Sequence, residues 1–132
     1  MVTGGAPVWQ FGLSPNAQPL SLEPNGATPY PGTKVLWIVG PNYGEAVTLQ
    51  GHELRTGTPM WFVLLGPGSY TAANAAPSVA LDPAMPNRGG AANSAGQWNV
   101  YGVGIIFTVA GCYELDASWP EGHWRTVFPA GR

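Results

Sequence analysis

Cys112 and His123 are a thiol and a base on either side of the Trp119–Gly122 turn, the first residues in the chain that could do chemistry together. A nucleophilic cysteine needs a base within hydrogen-bond reach and a positive setting such as a helix N-terminus. The sequence offers no helix, and Glu114 and Asp116 place negative charge on the same stretch. Cys112 therefore reads as a structural thiol packed under a loop. Glu114 and Asp116 stand two residues apart, about 7 Å by strand rise. That falls in the loose range of paired glycosidase carboxylates. No apolar surround marks either as a proton donor, so the pair reads as a solvated strand face. His52-Glu53 and His123 with Glu121 are the remaining metal candidates, and they fall short of a zinc signature. No Gly-x-Ser-x-Gly, phosphate loop or dinucleotide fingerprint occurs. The chain is read as a non-enzyme without a cofactor or a metal.

Aromatic residues are the surplus. Six Trp in 132 residues exceed the needs of a core this size. Trp37 and Trp61 lie in apolar runs and are assigned to the core. Trp9, Trp98, Trp119 and Trp124 lie near strand ends or turns, where they either plug the open ends or contact a ligand.

The elements that position these residues read as strands. Gly104–Ala117 is two strands meeting at Ala110-Gly111, with Tyr113, Leu115 and Ala117 alternating against Cys112, Glu114 and Asp116. Val8–Leu13 puts Trp9, Phe11 and Leu13 on one apolar face, followed by a Pro-rich link with Gln18–Leu22 as a short edge strand. Lys34–Val39, apolar on both faces, reads as a central strand, and Ala46–Gln50 alternates. Met60–Leu65 is the most apolar run and is expected to be fully buried. Ser78–Leu81 is a short strand inside the otherwise patternless residues 66–96, a length usually reserved for functional or mobile loops. Gln97–Val109 is a long strand bent at Gly102 and Gly104. His123–Phe128 closes the set. Seven to nine antiparallel strands with turns every 8–12 residues match an immunoglobulin-like (Greek-key) β-sandwich, an all-β fold. Residues 1–33 form an N-terminal strand and lead-in, and 34–132 the sandwich, together one domain.

Composition narrows the function. Gly and Pro, 19 and 14 residues, fit short strands joined by many turns. Charged residues are 9%, against roughly 25% for an ordinary soluble domain. The five Lys and Arg are scattered, so nucleic acid and anionic membranes are poor partners. No run approaches the ~18 apolar residues of a membrane span. Met1–Gly5 lacks the features of a signal peptide and reads as the start of a chain whose targeting segment has been removed. The single cysteine excludes an intrachain disulfide.

Lys34-Val35-Leu36-Trp37, Val47-Thr48-Leu49-Gln50-Gly51 and Gly111-Cys112-Tyr113-Glu114, in that order, resemble a group of secreted or lipid-anchored bacterial immunoglobulin-like domains, mostly without assigned function. The resemblance covers roughly residues 34–128. It implies a sandwich fold and an extracytoplasmic address, and it transfers no catalytic residue. Gly111-x-Tyr113 also looks like the tyrosine corner of such sandwiches, where the phenol bonds the backbone across the corner. The copper strand of the cupredoxins is a near miss. Cys112 precedes the Tyr where a ligand Cys would follow it, Ala117 stands in that ligand position, and no Met follows His123.

Three functions are expected. The first is a non-catalytic extracellular or cell-surface interaction module. The second is a self-assembling filament subunit, with Trp9, Phe11 and Leu13 added as a strand to a neighbour's sheet. The third is a carbohydrate-binding module using Trp98, Trp119 or Trp124. Gly111 and Tyr113 are assigned structural roles.

Overall fold

In the computed structural model, residues 2–11, 13, 32–40, 43–64, 75–83 and 99–131 are described. Nine strands occur among them: β1 Val2–Gly5, β2 Val8–Phe11, β3 Gly32–Val39, β4 Val47–Glu53, β5 Trp61–Leu64, β6 Ser78–Leu81, β7 Asn99–Ile106, β8 Gly111–Trp119 and β9 Gly122–Ala130. Every pairing is antiparallel, and no helix occurs among the described residues. One sheet has the order β1-β2-β3-β7-β5 and the other β6-β4-β8-β9.

Alternation decides which side of each strand is buried. Val35, Trp37 and Val39 of β3 and Tyr101, Val103 and Ile105 of β7 face inward from the five-stranded sheet. Val47 and Leu49 of β4, Tyr113, Leu115 and Ala117 of β8 and Phe128 of β9 face them from the other. All belong to one core, and the two layers are compatible with a β-sandwich. Trp37 on one sheet meets Trp124 on the other edge to face, ring centroids 6.0 Å apart. Phe107, Tyr113 and Phe128 pack ring against ring at the opposite end.

Several expectations are corrected. The N-terminal stretch contains an extra strand, β1, joined to β2 through Ala6-Pro7, whose peptide bond is cis. In β2 the side expected to face away is the buried one. Val8 and Gln10 are fully buried and Trp9 is half-buried. A polar core residue is tolerated because the Gln10 amide is satisfied locally. Its Nε2 donates to the Leu13 carbonyl at 2.8 Å, and its Oε1 accepts from the Leu13 N–H at 2.9 Å. Within the apolar run, Trp61–Leu64 forms β5, the last strand of its sheet beyond β7, with one bridge from Phe62 to Ala76 on its other side, and Trp61 remains 38% exposed. β7 pairs residue for residue with β3 over its whole length, so no bulge interrupts it at Gly102 or Gly104. The expected strand at 18–22 lies outside the described residues, as do residues 65–74 and 84–98 of the long loop.

Candidate functional site

The β7–β8 corner holds the two residues assigned structural roles. Tyr113 enters β8 two residues after Gly111 and lies inside the core, and its hydroxyl donates to the Val109 carbonyl at 2.7 Å. Burial pushes its phenol above the ordinary range, and the charge of Glu53 adds to it. Gly111 lies against Glu53, a buried carboxylate at the end of β4. A Cβ on Gly111 would stand 2.7 Å from Glu53 Cγ and 2.8 Å from Cδ. The Glu53 carboxylate accepts the Arg55 N–H, and Leu54 N donates to the Cys112 carbonyl at 2.8 Å. The corner is therefore a sealed structural joint.

The sheet's outer face is built differently. β8 turns Glu114, Asp116 and Ser118 outward because Tyr113, Leu115 and Ala117 turn inward. Register then sets their neighbours. His52 of β4 lies opposite Glu114, Gln50 of β4 and Arg125 of β9 flank Asp116, and His123 of β9 lies opposite Ser118. These residues line one depression of about 700 Å³, walled by Gly57 and Pro59 after β4 and by Pro77 before β6. Arg125 is shared by both carboxylates: its Nη2 stands 3.2 Å from Asp116 Oδ2 and its Nε 3.5 Å from Glu114 Oε1. Tyr43 bonds a neighbouring turn, its hydroxyl donating to Glu121 Oε1 at 2.7 Å. Desolvation, that hydrogen bond and the negative charges of Glu121 and Glu45 push the Tyr43 phenol up to about 12.

The sequence candidates fall in different places. Cys112, expected under a loop, is exposed, because it shares the outward phase of Glu114. It pairs with Pro129, while His123 pairs with Ser118 six residues further along β8. Strand rise separates thiol and base by about 20 Å, so they form no catalytic pair. His52 faces outward and Glu53 inward, so the two cannot share an ion. Among the described residues no three His, Cys, Asp or Glu side chains converge. Glu114 and Asp116 do lie side by side, but they share a guanidinium and no apolar pocket. Trp119 and Trp124 are half-buried against the core, Leu13 is fully buried, and Trp98 lies outside the described residues. Trp9 and Phe11 lie in β2, which pairs with β3 of its own chain. No helix of the described residues is long and apolar enough to cross a membrane.

Sequence reasoning saw the two carboxylates but not Gln50, His52 and Arg125 as their neighbours. The signal for Arg125 was present: counting back from the two-residue turn at Pro120-Glu121 places it opposite Asp116. Comparison with protein-family models, with curated proteins and with solved structures gives no match to this chain, and so no link to the immunoglobulin-like group its motifs resemble.

Proposed function

We propose that this chain is a non-catalytic, extracytoplasmic, immunoglobulin-like module that acts by surface contact through the outer face of the β6-β4-β8-β9 sheet. The observation that carries this reading is the treatment of charge on that face. Arg125 holds Glu114 and Asp116 in ion pairs, and among the described residues His52, Ser118 and His123 of the same depression form no hydrogen bond to either carboxylate or to one another. Such a floor is suited to hydrogen bonding and not to bond-breaking.

Strand order supports the immunoglobulin-like part. Taking β2, β3, β7 and β5 as strands A, B, E and D, and β9, β8, β4 and β6 as G, F, C and C′, reproduces that neighbour order in both sheets. Tyr113 then stands near the start of strand F, where the tyrosine corner belongs. Two features depart from the pattern. The chain visits β5 before β6, and the buried Trp37 stands on strand B in a chain with one cysteine. The sparse charge supports the extracytoplasmic address.

The test is turnover. Purified protein incubated with chromogenic ester, glycoside and phosphate substrates and with a thiol–disulfide substrate is expected to match the buffer rate. A turnover abolished by C112A, H123A, E114Q or D116N overturns the proposal.

A further inference from the structure

The same depression carries a statement about what it binds, and this inference rests on the binding-face reading above. We infer that the outer face of the β6-β4-β8-β9 sheet is a site for a neutral, hydroxyl-rich chain, an oligosaccharide lying across β4, β8 and β9.

Dimensions come first. Three strands at about 4.8 Å spacing and three outward rows about 7 Å apart make a floor roughly 10 Å by 14 Å. That is the footprint of a di- or trisaccharide, and the depression of about 700 Å³ has room for one. Its walls, Gly57, Pro59 and Pro77, are uncharged, so the polar contacts come from the floor.

Charge comes second. The histidines aside, the floor holds two carboxylates and one guanidinium, a net of one negative unit. The guanidinium is already committed to Glu114 and Asp116. An anionic ligand would face two carboxylates and an Arg125 whose Nε and Nη2 already point at them. A cationic ligand would compete with Arg125 for them. A neutral ligand disturbs neither ion pair.

Hydrogen-bond capacity comes third. Each carboxylate keeps acceptor sites beyond those Arg125 fills, Gln50 offers both an acceptor and two donors, and Ser118 a hydroxyl. Gln50, Asp116 and Arg125 stand in one row across three strands, alternating acceptor and donor groups. Adjacent sugar hydroxyls present the same alternation, because each both donates and accepts. Among the described residues no tryptophan lines this depression, and Trp119 and Trp124 are partly buried against the core. Binding by such a floor rests on hydrogen bonds, and about millimolar affinity is expected.

Calorimetric and nuclear magnetic resonance titrations with maltotriose, cellotriose, chitotriose, a sulfated disaccharide and a chitosan trimer test this. At least one neutral trisaccharide is expected to bind, and more tightly than the sulfated and the cationic probe. Q50A and D116A are expected to weaken that binding at least tenfold, whereas K34A on the other sheet leaves it unchanged. Wild-type folding of Q50A and D116A is checked by tryptophan fluorescence, and D116N serves if D116A is unstable. No response to any neutral probe, tighter binding of a charged probe, or binding indifferent to Q50A and D116A overturns the inference. If no sugar binds and no turnover occurs, only this inference fails. If a sugar binds and is cleaved, the site stands and the non-catalytic reading fails.

Discussion

Substituting Gly111 by Ala should destabilise the protein through one neighbour, Glu53. The added Cβ would lie 2.7 Å from Glu53 Cγ and 2.8 Å from Cδ, against about 3.5–4.0 Å for relaxed carbon contacts. Roughly 1 Å of movement is needed. Glu53 has little room for it, being 2% exposed with its carboxylate bonded to the Arg55 N–H. Overpacking costs about 1–3 kcal/mol. Loss of a hydrogen bond to a charged group adds about 1.5 kcal/mol where it occurs. G111A is therefore expected to cost about 2–4 kcal/mol. In an E53A background the obstructing atoms are gone, and the same change should cost less than about 0.5 kcal/mol, since strand Gly→Ala is otherwise favourable. The assay is urea unfolding followed by tryptophan fluorescence, comparing midpoints at constant slope for the four members of the cycle. A G111A cost that is equal in both backgrounds refutes the argument that Gly111 exists to admit Glu53.

Other predictions rest on single contacts. Y113F keeps the ring contacts with Phe107 and Phe128 but loses the 2.7 Å bond to Val109, so it should cost about 1 kcal/mol, a few degrees of Tm by thermal unfolding. A fall of about 10 °C or more contradicts the assignment to one hydrogen bond. G51A should be among the most damaging substitutions, at about 3 kcal/mol or more. Its Cβ would meet the Glu114 carbonyl oxygen at 2.5 Å and Met60 Cε at 2.2 Å, and backbone cannot step aside. Retention of wild-type unfolding midpoint refutes that register. Tyr43, with its phenol raised to about 12, disfavours tyrosinate in the folded state. The unfolded chain releases this proton near pH 10, so stability falls as pH rises from about 10 towards 12. E121Q should lower the Tyr43 midpoint in an ultraviolet tyrosinate titration, and an unchanged midpoint contradicts the contact.

Much of the architecture was readable because alternation in this chain is strict where both faces differ. β8 announces itself through Tyr113, Leu115 and Ala117 against Glu114 and Asp116, and the same phase fixes β4 and β9. The phase of β8 also placed Cys112 outward, so its reading as a packed thiol ignored a signal that was there. β1 was invisible because Val-Thr-Gly-Gly carries no apolar alternation, and its existence depends on pairing with β2. β2 was read from its large aromatics as one apolar face, whereas Val8 and Gln10 are its fully buried residues. The amide's bonds to Leu13 help make that glutamine a core residue, and no hydropathy pattern records such bonds. β5 looked fully buried because Met-Trp-Phe-Val-Leu-Leu is apolar throughout, yet its place beyond β7 at the end of the sheet is a property of topology. The candidate site divides the same way. Two carboxylates at i and i+2 are visible along one strand, while Gln50, His52 and Arg125 join them only through register across three strands.

The most direct test of the account is to map amide shifts across the folded protein while titrating with a neutral trisaccharide that binds. The account predicts perturbations concentrated at Gln50, His52, Glu114, Asp116, Ser118 and Arg125, with the β3 and β7 amides unmoved. Perturbations centred on Trp119, Trp124 and the β8–β9 turn, or on the outer side of the five-stranded sheet, would contradict it.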